Sequence, residues 1–187
     1  MKLIETDLEG VLLIEPTVFT DNRGFFMESF NAQQLTKLGI PISFNQDNHS
    51  LTVDAGTIRG LHYQEHPKAQ TKLVRVTRGA IYDVVVDLRK GSPTFKKWQG
   101  FILNETNKRQ LFIPKGYAHG FCTLVQNVEV QYKVDEYFSP HHDKGVLWND
   151  PILKIDWPVT NPILSEKDQK LPLLSDIDIK FTWEDRK

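Results

Sequence analysis

The segment that most limits the fold is Ile81-Tyr82-Asp83-Val84-Val85-Val86-Asp87-Leu88. A β-branched, nearly continuous apolar run of this length predicts a strand in the middle of a sheet. Residues 72–78 alternate apolar and polar before Gly79 turns the chain into it. Residues 98–103 follow as a further strand between turns at Gly91-Ser92-Pro93-Thr94 and Asn104-Glu105-Thr106-Asn107, after which Gln110-Leu111-Phe112-Ile113 leads into the segment that begins at Pro114. Residues 128–134 alternate cleanly, with Glu129, Gln131 and Lys133 on one side and Val130, Tyr132 and Val134 on the other, so Tyr132 is expected to face the interior. Earlier in the chain, residues 11–15 form a short strand closed by Pro16. Asp21-Asn22-Arg23-Gly24 is a turn leading to a strand over 25–30. The most credible helix spans residues 32–38, capped by Asn31 and stopped by Gly39. Ser165 caps a helical turn that contains Asp168. Many short strands with so little helix predict an all-β antiparallel sandwich or jelly roll, whose inward side chains line a cavity.

At 187 residues the chain fits one domain, 1–187, and buries a core without disulfides or a structural metal. Lys and Arg number 23 against 24 Asp and Glu, a formal charge of -1, so no global field draws it to nucleic acid or an acidic membrane. Any anionic ligand must be held by local cations. The single cysteine, Cys122, lies in the apolar run Gly120-Phe121-Cys122-Thr123-Leu124 and reads as a small buried hydrophobe. Acidic residues stand where a secretory signal would have an apolar core, and no run of about 18 apolar residues occurs, which predicts a cytoplasmic protein.

Chemistry concentrates in Thr57-Ile58-Arg59-Gly60-Leu61-His62-Tyr63-Gln64, followed by Lys72. Arg59 and His62 differ by an odd number of positions and would face opposite ways on a regular strand. Gly60 is where a bulge or bend would bring both to one cavity. Taken alone, His62 is either a hydrogen-bonded strand residue or a catalyst. Asp83, in the strongest strand, is a carboxylate that burial obliges to find a partner, either a histidine to orient or backbone amides. The polar run Phe44-Asn45-Gln46-Asp47-Asn48-His49-Ser50 reads as a loop, serving either an Asx-rich turn or a ligand. Pro114-Lys115-Gly116-Tyr117-Ala118-His119-Gly120-Phe121 implies a tight bend with close backbone approach.

Taken together, Asp21-Asn22-Arg23-Gly24-Phe25-Phe26-Met27-Glu28, Gln46-Asp47-Asn48-His49-Ser50, Arg59-Gly60-Leu61-His62, Val86-Asp87-Leu88-Arg89, Ile113-Pro114-Lys115-Gly116-Tyr117-Ala118-His119-Gly120-Phe121 and Leu164-Ser165-Glu166-Lys167-Asp168 resemble the dTDP-4-dehydrorhamnose 3,5-epimerase family over almost the whole chain. The resemblance implies a cupin-type jelly roll, a homodimer that exchanges N-terminal strands, and a peripheral tail over 176–187. It also implies a reaction that inverts C3 and C5 of dTDP-4-dehydro-6-deoxy-D-glucose in dTDP-L-rhamnose synthesis. A ketone at C4 acidifies the hydrogens on both neighbouring carbons, so such a reaction needs a base on one ring face, an acid on the other, and stabilisation of an enolate. By likeness His62 is the base, Asp168 orients it, Tyr132 returns the proton, and Lys72 neutralises the enolate oxygen. Histidine as a type titrates near neutrality and tyrosine remains a proton donor there.

The resemblance further implies that Arg23 and Arg59 hold the diphosphate and sugar. Glu28 and Gln46-Asp47-Asn48 hold the thymine and deoxyribose end, with Arg23 and Glu28 reaching in from the partner subunit. Phe25, His119 and Lys167 fall at further binding positions. Two positions depart from the family pattern: Phe138 stands where a tyrosine usually stacks on thymine, and Asp143 where some members have glutamate. No metal is expected, because the histidine-rich ligand set of metal-binding jelly rolls is absent, and no cofactor is expected. The competing readings are a relative that epimerises C3 or C5 alone, a non-catalytic sugar-binding jelly roll, and, more remotely, a metal-dependent dioxygenase.

Overall fold

A computed structural model describes residues 1–186. It contains β1 (Lys2–Glu5), β2 (Leu12–Glu15), β3 (Val18–Asp21), β4 (Gly24–Met27), α1 (Ala32–Lys37), β5 (Gln46–Thr52), β6 (Ile58–Gln64), β7 (Lys72–Arg78), β8 (Ala80–Asp87), β9 (Trp98–Asn104), β10 (Gln110–Ile113), β11 (Tyr117–Thr123), β12 (Val128–Val134), β13 (Asp143–Gly145) and the four-residue α2 (Glu166–Gln169). One sheet has the order β1-β2-β10-β7-β12-β5 and the other β13-β6-β11-β8-β9, while β3 and β4 form a separate hairpin. From β5 to β8 the chain changes sheet at every connection, as it does again from β9 to β12, which makes the sandwich a jelly roll.

β8 is covered on both faces, as its composition predicts. Ile81 and Val85 pack between the sheets with Val74, Val76, Leu111 and Val130. Val84 and Val86 face the other way, against Leu61, Ala118, Val146 and Trp157. A third cluster, Ile14, Leu35, Ile40, Leu73 and Phe112, seats α1 on the outside of the six-stranded sheet. α1 begins where Asn31 Oδ1 accepts the Gln34 amide at 3.1 Å. Among the described residues no helix is long and apolar enough to cross a membrane.

Three expectations are corrected. The strand predicted over 25–30 ends at Met27. The polar run 44–50 is largely strand β5, which lies at a sheet edge and pairs with β12 from Gln46 opposite Val134 to Thr52 opposite Val128. Its polar residues suit an edge: Asp47 pairs with Lys133 at 2.8 Å and His49 with Glu129 at 3.1 Å on the outer face, while Asn48 and Ser50 turn inward. Third, the tail is not peripheral as far as the structure describes its side chains. Ile179 and Phe181 are buried in the outer core of the five-stranded sheet, and Phe181 meets Tyr63 edge to face with centroids 5.8 Å apart.

Candidate active site

Residues of both sheets border a cavity of about 450 Å³, a size that suits a small ligand. Arg59 and His62 line it from β6, His119 and Phe121 from β11, Lys72 from β7, Tyr132 from β12 and Ser50 from β5. The segment from Ile163 to Asp168 closes one side. Each wall follows from strand alternation. His119 stands opposite His62 across β11 and β6, and Tyr132 stands opposite Val74, an inward residue, across β12 and β7.

Arg59 and His62 share the cavity because β6 carries an irregularity where the sequence suggests one. Against β11 the register runs from His119 opposite His62 to Phe121 opposite Arg59, so three steps on β6 match two on β11. Gly60 makes this possible. Its φ is +117°, and a Cβ there would lie 2.6 Å from Gly120 Cα and 2.7 Å from the His119 carbonyl oxygen.

His62 Nε2 lies 2.7 Å from Asp168 Oδ1. With the carboxylate accepting the Nε2 proton, Nδ1 carries the lone pair of the neutral ring. Asp168 is delivered by α2, whose Ser165 cap accepts the Asp168 amide at 3.1 Å. Burial pushes the Asp168 carboxyl upward, but the bond and charge of His62, the Gly60 amide and Ser165 outweigh it and hold the group below its usual range. On the facing sheet, burial raises Tyr132, and the nearby Asp143 charge adds to this while Arg59 opposes it, so the phenol stays protonated at neutral pH.

Two cations face this cavity without a carboxylate partner among the described residues. Arg59 is fixed to β5 by Nε donating to Thr52 Oγ1 at 2.9 Å and by its terminal nitrogen donating to the Leu51 carbonyl at 3.2 Å. Lys72 Nζ reaches only the His62 carbonyl, at 3.5 Å, and burial lowers its amine to about 8 against the opposing pull of Asp83 and Asp143. His119 is buried and held to Asp83, with Nε2 at 3.0 Å from both carboxylate oxygens. Of the two partners open to Asp83, the histidine is the one it takes. Lys167 bridges to Asp143 at 2.5 Å, joining α2 to β13.

The outer rim gathers more of the sequence-derived set. Gln46 donates to Asn48 Oδ1 at 2.9 Å and accepts the Phe138 amide at 3.2 Å, leaving the Phe138 ring exposed. Asp47 does not join them. Strand alternation turns its side chain to the outer face and Lys133, away from the side that Gln46 and Asn48 share. Arg23, Phe25 and Glu28 do not line the cavity either. Arg23 and Phe25 sit on the β3–β4 hairpin, where Arg23 bonds Asp21, and Glu28 accepts from Asn31 and Gln34 of its own chain. Ser50, Thr52, Phe121 and Ile163 escaped the sequence reading; extending the alternation of β5 from Asn48 would have found the first two. Among the described residues no three His, Cys, Asp or Glu side chains converge as metal ligands, and both cavity histidines turn Nε2 to a carboxylate.

The arrangement can bind an anion, remove a proton from one face of a bound ring and supply one from the other. Comparison with known proteins agrees. The sequence profile of dTDP-4-dehydrorhamnose 3,5-epimerase matches residues 5–176. The enzyme of that name from Shigella flexneri is 52% identical over 169 residues, covering 90% of this chain and 93% of its own. A crystal structure of the Bacillus anthracis enzyme with TDP and PPi bound superposes with TM-score 0.91 at 63% identity, covering 92% of this chain and 99% of that one. The dTDP-6-deoxy-D-glucose-3,5-epimerase of Legionella pneumophila, solved with dTDP-4-keto-L-rhamnose, gives TM-score 0.90 at 45% identity over 95% of this chain and 94% of its own. With a matching profile, closely similar relatives and the same jelly roll, the chain belongs to the dTDP-4-dehydrorhamnose 3,5-epimerase family.

Proposed function

We propose that the protein inverts C3 and C5 of dTDP-4-dehydro-6-deoxy-D-glucose, giving dTDP-4-dehydro-6-deoxy-L-mannose for dTDP-L-rhamnose synthesis. The observation that carries this reading is the opposition of a carboxylate-bound imidazole on one sheet and a partly buried phenol on the other, with a lysine between the same walls that has no carboxylate partner among the described residues. His62 Nδ1 takes the proton from the carbon beside the ketone, and Asp168 stabilises the imidazolium that results. The electron pair moves to the C4 oxygen, where the buried Lys72 offsets the negative charge. Tyr132 delivers a proton to the opposite ring face, and exchange with solvent resets both groups. The same cycle at the second carbon completes the inversion.

Arg59 serves the diphosphate, for which a forked guanidinium is suited. Lys167, His119, Gln46, Asn48, Asp143 and Phe138 hold the remainder, Phe138 stacking on thymine without a hydroxyl. Arg23, Phe25 and Glu28 are read as serving the cavity of a partner subunit. In support, the hairpin exposes Phe19 (62%), Phe25 (56%) and Phe26 (67%), an apolar tip that a second copy would cover. A nucleotide-sugar substrate favours a cytoplasmic enzyme.

The test is incubation with the 4-keto sugar nucleotide in deuterated water, with C3 and C5 followed by NMR and the product trapped by a reductase. Deuterium at both carbons with trapped dTDP-L-rhamnose is expected. Exchange at one carbon would reduce the protein to a monofunctional epimerase, and no exchange with intact dTDP binding would remove the epimerase reading.

A further inference from the structure

One group in the chamber is unused by this chemistry. Asp83 on β8 has no exposed surface, and its place opposite Phe121 sets it on the inner face shared by Phe121 and His119. Both of its oxygens lie 3.0 Å from His119 Nε2, so that nitrogen must carry the proton and the neutral ring is left with its lone pair on Nδ1. A carboxylate sealed from water is retained only where positive charge or donors meet it. The charged and titratable groups that act on it are His119 on β11 and Lys72 on β7; His62 on β6 acts on His119 in turn, and Asp143 on β13 acts on Lys72. Burial depresses His119, and Lys72 and His62 depress it further, outweighing the charge and bond of Asp83. Burial also lowers Lys72, while Asp83, ahead of Asp143, pulls it back up. The balance leaves one cation, on Lys72, and one neutral ring, on His119.

We propose that Asp83 is a positioning residue for the epimerisation. It locks the His119 ring through Nε2 so that Nδ1 alone meets the sugar, and it sets a carboxylate on the inner face of the five-stranded sheet, toward the cavity that Lys72 lines from the facing sheet. This rests on the epimerase reading above. Asp83 touches no substrate atom and acts through the two residues it faces. A carboxylate that merely filled a buried slot would affect folding and leave the pH dependence of catalysis alone.

Asp83→Asn separates these cases, since the amide oxygen still accepts the His119 proton while the charge is lost. In the unaltered enzyme kcat/KM should fall as pH rises through about 8, where Lys72 loses its proton. In Asp83→Asn that limb should move to lower pH by about one unit, the size of effect a close opposite charge exerts. The variant should then lose about fivefold at pH 8, approaching tenfold above it, and recover much of it on acidification. An alkaline limb left in place in a folded variant overturns the proposal. Should the variant not fold, histidine-selective ¹⁵N spectra of the unaltered protein decide: a neutral His119 with its proton on Nε2 at pH 7 supports the assignment, and a proton on Nδ1 or a charged ring refutes it. Absence of turnover by the unaltered enzyme would count against the epimerase reading, whereas an unmoved limb with normal wild-type turnover would count against Asp83 alone.

Discussion

Replacing Gly60 with alanine should cost more than its single methyl suggests, because that methyl has no free direction. At φ +117° a side-chain-bearing residue is strained, a torsional penalty of about 1–3 kcal/mol. The new Cβ would also stand 2.6 Å from Gly120 Cα and 2.7 Å from the His119 carbonyl oxygen, both backbone atoms of the adjoining strand. Neither can rotate away, so β6 and β11 must separate, and overpacking of this kind costs a further ~1–3 kcal/mol. The sum, about 4 kcal/mol, should lower Tm by roughly 8–16 °C in a domain of this size. Gly39 supplies the control: it too has a positive φ, +87°, but a Cβ there meets nothing within 4 Å, so Gly39→Ala carries the torsional part alone. The strand displacement also acts on catalysis, because Gly60 N–H points at Asp168 Oδ2 at 3.4 Å and the same strand carries Arg59 and His62. Thermal and urea denaturation of both variants, with turnover measured alongside, would test this. A Gly60→Ala protein as stable as Gly39→Ala and fully active would refute the claim that close strand approach shapes the site.

Asp168→Asn should keep the fold but lower kcat by about 10- to 100-fold, the worth of one charge-assisted hydrogen bond; unchanged kcat would detach the carboxylate from His62 function. Tyr132→Phe should leave deuterium exchange at the substrate carbons largely intact while net inversion falls by about 10²-fold or more, and equal loss of both would remove Tyr132 as the second proton carrier. Subunit mixing tests the exchanged hairpin: His62→Ala and Arg23→Ala proteins, each inactive alone, should recover about one quarter of the wild-type sites after random reassortment, since half the dimers are mixed and each mixed dimer holds one intact site. No recovery, with mixed dimers demonstrated, would return Arg23 to its own chain.

How far the site was legible in the sequence depends on whether neighbours in space were also neighbours in the chain. Alternation alone set Tyr132 inward and Lys133 outward, because strand period is a local property. The odd spacing of Arg59 and His62 around Gly60 signalled the irregularity that the register shift bears out. Two readings failed where pairing decided the matter. Residues 46–50 look like a loop until β12 supplies cross-strand partners for Asp47 and His49, and strand formation then divides Gln46, Asp47 and Asn48 between two faces. Phe181 lies in a tail with no periodic pattern, and nothing local says that Tyr63 and His66 leave a slot for it. Asp83 lies between these cases: its burial was readable from β8, but the choice of His119 as partner needed the register between β8 and β11.

The sandwich itself explains why one chamber can offer both an acid and a base to opposite faces of a ring. Groups on a single sheet approach a bound ligand from one side, whatever their spacing. Here His62 and His119 descend from the five-stranded sheet, and Tyr132 and Lys72 rise from the six-stranded one, so under the proposed roles a ring between the sheets would meet acceptor and donor from opposite directions. The charges follow the same division. His62 and His119 each have a carboxylate, Asp168 and Asp83, while Arg59 and Lys72 form no ion pair among the described residues, so the walls present positive charge suited to an anion or an oxyanion. A chain with a formal charge of -1 can therefore hold a diphosphate and an enolate without a basic surface. Selectivity between the two positions comes from burial: Arg59, partly open and tied to β5, suits a permanently charged group at the entrance. Lys72, buried and lowered to about 8, suits a charge that exists only while the proton is in transit.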